Sequence, residues 1–211
     1  MLQQDVNNMI WLFATFILAN LVALASPGPA FVALSNNALN NSKREAFIFG
    51  LGLATIATFW CFLGFFGLTT VFTYVPWLYT ALKFAGGIYL IYLAIKTWRG
   101  ASLPLKFVKT AANKGAHSFF AGCAINIANP KAALFAGSVL LAVFPVDMAI
   151  GYKLLAMAIM FTLEATFYSA VVLWLGQPKM RQTYRDAKKW IDRCTGVVLG
   201  ALGIKFLLQR A

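Results

Sequence analysis

Residues Met9 to Leu34 form an apolar run without a single charged residue, and near its end stands Ser26-Pro27-Gly28-Pro29-Ala30. Such a run is long enough to cross the hydrocarbon of a bilayer, which takes about 20 apolar residues in helical form. Each proline within it removes a backbone donor and crowds the preceding turn, at roughly 3 kcal/mol per interior proline. Hydrocarbon holds no water to satisfy the carbonyls so freed, and a broken helix at that depth must face protein or line a cavity. A second apolar run, His117 to Phe144, is interrupted in the same way by Asn129-Pro130-Lys131. One broken span in each half of a chain points to the central site of a transporter.

The remaining apolar runs complete a membrane architecture. Candidate spans are Met9–Leu34, Ala46–Val75, Trp77–Ile95, Ser118–Phe144, Met148–Gly176 and Cys194–Leu208, the last needing Trp190–Arg193 to reach across. Only 11% of the residues are charged, against about 25% in soluble domains. The expectation is an all-α integral membrane protein of six transmembrane helices, forming one transmembrane domain over 1–211. The first span is not expected to be a cleaved signal, because Met1-Leu2-Gln3-Gln4-Asp5 lacks a basic n-region.

A net charge of +12 invites a nucleic-acid partner, but the placement of the charges excludes it. Thirteen of the eighteen basic residues fall between spans one and two, three and four, or five and six. By the positive-inside rule those loops are cytoplasmic, which puts both termini on the periplasmic or extracellular side. The basic excess also implies attraction to anionic membrane lipid. Cys61, Cys123 and Cys194 are isolated, with no Cys-x-x-Cys pair for metal or thiol exchange. No cofactor is expected.

The halves, 9–99 and 117–208, repeat weakly around a basic loop, 100–116. Setting Pro27 against Pro130 aligns the starts of spans two and five, and a slightly larger offset matches Gly87 with Gly196 and Lys96 with Lys205. Three spans per half oblige the halves to insert in opposite senses, a 3+3 inverted repeat. Gly196-x-x-x-Gly200 has the spacing of a close helix contact. Ser42 followed by Glu45 has the spacing of a capping box.

Glu164 lies near the middle of the fifth span. A carboxylate there costs about 2.5–3.5 kcal/mol to insert and is a functional hypothesis by default. It can take a proton from one face and release it to the other; the alternative is a structural pair with Lys83 or Lys131. Lys131 follows the second break, about 21 Å along the helix from the His117 end, too far to snorkel. It is expected to hold a substrate carboxylate or to pair with Glu164. Asn126 and Asn129 share a helical face and can satisfy carbonyls freed by Pro130. The same side chains can also meet a substrate amine, so Asn126, Asn129, Pro130 and Lys131 are candidate substrate-binding residues. Ser26, Pro27, Gly28 and Pro29 form the first break, where a restarting helix offers amides and a positive dipole end to a carboxylate. Lys83 stays ambiguous, His117 is an interfacial residue, and Tyr89 and Tyr92 are read as packing or lipid-facing.

These residues together resemble a known family. Pro27-Gly28-Pro29, Leu82-Lys83-Phe84-Ala85-Gly86-Gly87-x-Tyr89-Leu90 and Asn129-Pro130-Lys131, in that order, are similar to the signatures of the lysine exporter (LysE) superfamily. The branch most similar is that of the homoserine/threonine-resistance (RhtB-type) exporters. The resemblance implies a secondary transporter of the bacterial inner membrane, exporting amino acids or close derivatives against protons and lacking enzymatic activity. Family members often place an acid after Pro-Gly-Pro, where this chain has Ala30. Homo-oligomerisation is compatible with the sequence. The alternatives are a metal-ion exporter, which would cluster carboxylates and histidines in the membrane, and a non-transporting scaffold, which leaves two broken spans and a buried acid unexplained. A thiol relay would need cysteine pairs in the broken spans, and the first has none.

Overall fold

A computed structural model describes residues 2–25, 28–67, 76–103, 116–145, 147–175 and 178–208. These residues form eight α-helices and no strand: α1 (Leu2–Ala25), α2 (Pro29–Asn40), α3 (Lys43–Phe62), α4 (Pro76–Gly100), α5 (Ala116–Ile127), α6 (Pro130–Val143), α7 (Ile150–Leu175) and α8 (Pro178–Leu208). A π-helical turn, Leu63–Gly67, extends α3.

Proline sets many of these boundaries. Helices α2, α4, α6 and α8 each open on one, the position where its missing N–H is not needed and its fixed φ suits the helix. At α3 the expected capping box is present. The Glu45 amide donates to Ser42 Oγ at 3.3 Å, and the Ser42 amide donates to Glu45 Oε2 at 3.4 Å.

Three helical stretches are long and apolar enough to cross a membrane: Asn7–Ala25, Lys43–Gly67 and Ile150–Trp174. Helices α5 and α6, bent by 69° at Asn129-Pro130, supply a fourth if they count as one span. The expected spans Trp77–Ile95 and Cys194–Leu208 lie in α4 and α8, helices of 25 and 31 residues. Neither meets the same test among the described residues. Residues 178–189, expected to link two spans, are helical and continuous with the apolar end of α8. The basic loop expected from Gly100 onward falls largely outside the described residues.

Large apolar side chains cover the outside of the bundle, among them Trp11, Leu18, Phe59, Ile88, Leu154 and Trp174. Contiguous apolar surface of this extent suits lipid, since soluble monomers seldom expose it. Inside, two apolar clusters form. One gathers Phe16, Phe65, Phe135, Phe144, Met160, Leu90 and Leu199; the other gathers Ala30, Leu34, Phe49, Leu53, Tyr168 and Val172.

Glycines bring the backbones together. A Cβ on Gly52 of α3 would strike the Phe119 carbonyl of α5, and one on Gly122 of α5 would strike the Phe49 carbonyl of α3. This reciprocal crossing anchors α5. In the most extensive helix pair, α4 with α8, Gly87 faces Gly203 and Gly196 faces the Ala94 carbonyl. The close contact expected from Gly196-x-x-x-Gly200 is therefore present, with Gly200 against Ala94 Cβ.

Candidate functional site

The two helix breaks meet. Between them lies a cavity of about 60 Å³, lined by Asn20, Ala23, Gly28, Ala30, Phe31, Ala57, Asn126, Asn129, Lys131, Phe135, Met160, Glu164 and Tyr168 among others. It sits where the two apolar clusters join, since Ala23, Phe135 and Met160 belong to one and Ala30 and Tyr168 to the other. At roughly 10–15 Å³ per water, it has room for a few water molecules.

The second break is capped by its own residues and braced by α3. Asn129 is the N-cap of α6, and its Oδ1 accepts the Lys131 amide at 3.1 Å. Its Nδ2 donates to Asn126 Oδ1 at 3.3 Å, and Asn126 Nδ2 in turn donates to the Leu53 carbonyl of α3 at 2.7 Å. Contrary to the expectation from sequence, the asparagine side chains do not satisfy the carbonyl that Pro130 frees. That carbonyl, on Asn126, accepts the Asn129 amide at 3.2 Å and the Trp60 indole N–H at 3.4 Å. Asn126 is fully buried, so its bond to α3 fixes the bend in place.

The first break is built differently. Gly28 is the N-cap of α2 and has no side chain with which to cap it. The carbonyls ending α1 are met from other helices. Thr195 of α8 donates to the Val22 carbonyl at 3.3 Å, and Lys131 Nζ donates to the Ala23 carbonyl at 3.1 Å. A cation is the natural partner for the negative end of a helix. The stem of Lys131 lies on Gly28, where a Cβ would come within 3.2 Å of its Cδ and 3.3 Å of its Nζ.

Glu164 enters the cavity from α7 and is 6% exposed. Its Oε2 has no hydrogen-bond partner among the described residues. Tyr168, one turn on, reaches the carboxyl with its hydroxyl, and the charges of Lys131 and Glu164 act on each other across the cavity.

A second, larger cavity of about 830 Å³ lies on the other side of Lys131, lined by Gly28, Pro29, Tyr89, Tyr92, Lys96, Arg99, Gly100, Asn129 and Lys131 among others. Tyr89 and Tyr92, expected as packing or lipid-facing residues, line it instead, with Lys96 over the Tyr92 ring. Lys188, one of the basic residues that the sequence places between spans five and six, is buried in α8. It donates to the Gly100 carbonyl at 2.9 Å and pairs with Asp192 Oδ2 at 2.7 Å.

Of the residues singled out in the sequence, Gly28, Asn126, Asn129, Lys131 and Glu164 converge on the inner cavity, and Pro29 lines the larger one. Pro130 opens α6. Ser26 and Pro27 lie outside the described residues, as do the side chains of Lys83 and Pro130. The sequence reading missed Ala57, Phe135 and Met160 as lining residues; apolar side chains within apolar spans carry no signal of their own. Asn20 and Tyr168 were visible as polar residues within spans. No three His, Cys, Asp or Glu residues gather as a metal site among the described residues.

No solved structure matches the chain. Among curated proteins it is 32% identical to the Threonine efflux protein of Escherichia coli (strain K12) over 210 residues, covering 96% of this chain and 100% of the relative. It is 26% identical to the Homoserine/homoserine lactone efflux protein of Salmonella typhimurium over 204 residues, covering 90% and 96%. The profile of the LysE type translocators matches residues 21–210. That match takes in both breaks and Glu164, and it is to a family of translocators rather than enzymes. The chain belongs to the LysE type translocator family.

Proposed function

We propose that this protein exports amino acids or close derivatives from the cytoplasm by exchange with protons. The observation that carries the reading is the convergence of a helix N-terminus, an ammonium and a buried acid on one cavity between two broken helices. The efflux named for the two relatives points to the same substrate class.

A zwitterion suits this cavity. Its carboxylate would meet the amides that open α2 and the Lys131 ammonium, as anions do at helix N-termini. Its amine would meet the carbonyls ending α1 and the unpartnered Oε2 of Glu164. Asn126 and Asn129 shape the cavity and hold the α6 break, since both side chains are engaged in the protein. Glu164 is the proton carrier, and loading it from outside alternates with substrate release.

The membrane frame follows from the same reading. Helices α4 and α8 serve as the third and sixth spans, and the basic loops face the cytoplasm of a bacterial inner membrane. The 830 Å³ cavity then opens toward the cytoplasm, with Lys96 and Arg99 near its mouth. The single 1–211 domain is an inverted repeat, a reading supported by the way the last helix of each half, α4 and α8, pack on facing glycines.

The test is efflux from proteoliposomes loaded with a panel of labelled amino acids, with and without an inward proton gradient. Wild type is expected to export one class and to respond to the gradient. Glu164→Gln is expected to retain substrate exchange, at a reduced rate because the amine loses its charged partner, and to ignore the gradient. Equal gradient responses would remove Glu164 from coupling; absence of any amino-acid flux would remove the substrate class.

A further inference from the structure

We propose that Lys131 is the gate between the cytoplasmic vestibule and the substrate cavity, and that the carboxylate of an incoming amino acid opens it. The inference deepens the amino-acid reading above and rests on it.

Gly28, Asn129 and Lys131 are the described residues common to the linings of both cavities. Gly28 contributes only backbone there, and Asn129 is committed to the cap of α6 and to Asn126. The movable part of the partition is the Lys131 side chain. It leaves the start of α6, crosses Gly28 in contact, and ends on the Ala23 carbonyl 108 residues away in sequence. The side chain of one broken helix thus closes the gap in the other.

Its ammonium also stands where a substrate amine would stand. The site offers the last carbonyls of α1 and, across the cavity, the Glu164 carboxyl. Lys131 is a tethered stand-in for that amine. It fills a cation site that would otherwise leave the Ala23 carbonyl open in a low-dielectric interior. A carboxylate arriving in the vestibule competes for the same ammonium as an ion pair, whose Coulomb attraction in a low-dielectric interior adds to a hydrogen bond that the neutral carbonyl offers without a counter-charge. Lys131 swings to it, the amine subsite empties, and the substrate's own ammonium replaces the lysine. An amine without a carboxylate cannot make this exchange. The gate therefore selects for a free carboxyl group, and in the absence of substrate it keeps the two cavities apart.

Thiol labelling tests the gate apart from transport. In full-length protein carrying Cys61→Ala, Cys123→Ala and Cys194→Ala, Ala132→Cys places a thiol on the wall of the inner cavity, which Ala132 also lines. A membrane-impermeant trimethylammonium methanethiosulfonate is applied from the vestibule side. With Lys131 in place, labelling is expected to be slow, to rise about tenfold with threonine, and not to change with threoninamide. With Lys131→Gln it is expected to be fast under every condition, while Lys131→Arg stays slow. Gly28→Ala, whose methyl presses on the lysine stem, gives an intermediate rate and covers the case in which Lys131→Gln does not fold. Equal rates with Lys131 and Lys131→Gln overturn the gate. A similar rise with threonine and threoninamide overturns the carboxylate trigger. Fast labelling in Lys131→Gln, with no amino acid changing the rate of the Lys131 protein, overturns the amino-acid reading while the partition stands.

Discussion

The two helix breaks use similar residues to opposite effect. At Asn129-Pro130 the break is closed chiefly from within: the Asn129 side chain caps the new helix and its amide takes the freed Asn126 carbonyl. Helix α3 adds only the Trp60 indole as a second donor and the Leu53 carbonyl that holds Asn126. At Gly28-Pro29 the new helix has no side-chain cap, and the old helix ends on carbonyls met by Thr195 and Lys131 from elsewhere. A break that satisfies itself is scaffold. A break completed by residues of other elements is open to replacement, and a ligand bearing the same groups can take their place. The cavity's chemistry therefore belongs to the first break and its rigidity to the second.

That contrast can be broken most forcefully at the α3–α5 crossing. Gly122→Val would drive a side chain into the Phe49 carbonyl, a backbone atom that cannot rotate away. We expect a loss of about 3 kcal/mol, at the upper end of overpacking costs, read as a lower thermal midpoint in detergent, with α5 and the second break displaced. Next in size is Asn129→Ala, which removes the cap of α6. It should cost about 1 kcal/mol, with transport falling because the Asn126 orientation is lost too. Smallest in stability is Gly28→Ser, which supplies the first break with the cap it lacks. Its backbone, at φ −100° and ψ −177°, suits a serine cap, and the gain over glycine is only a few tenths of a kcal/mol. Because its Cβ crowds the Lys131 stem, substrate flux should drop while the thermal midpoint barely moves. If the first break is scaffold like the second, stability and flux will instead change together in Gly28→Ser as they do in Asn129→Ala.

Much of this could be read from single residues. Prolines within apolar runs and a lone carboxylate at membrane depth carry costs that any fold of the chain must meet, so Pro29, Pro130 and Glu164 announced themselves. The Ser42–Glu45 capping box and the Gly196 contact were legible for the same reason, being local or set by helical spacing. Lys188 was not: its burial depends on the Gly100 carbonyl ending a different helix. Nor were Tyr89 and Tyr92 as vestibule residues, since an aromatic side chain in a span looks the same whether it faces lipid, protein or a cavity.

The sequence by itself determined membrane residence, the two interruptions, the acid of the following span and the family. These rest on short-range terms, hydrophobic transfer and backbone hydrogen bonding, which act whatever the rest of the chain does. Only the tertiary structure decided that Lys131 crosses to Ala23, that Trp60 serves the carbonyl Pro130 frees, and that Gly52 and Gly122 bring α3 and α5 into backbone contact. Every helix end offers chemically equivalent carbonyls and every span several small residues, so residue type alone cannot choose among them. Packing chooses, because two helices can approach only where neither presents a side chain, and that geometry sets which donor reaches which orphaned carbonyl.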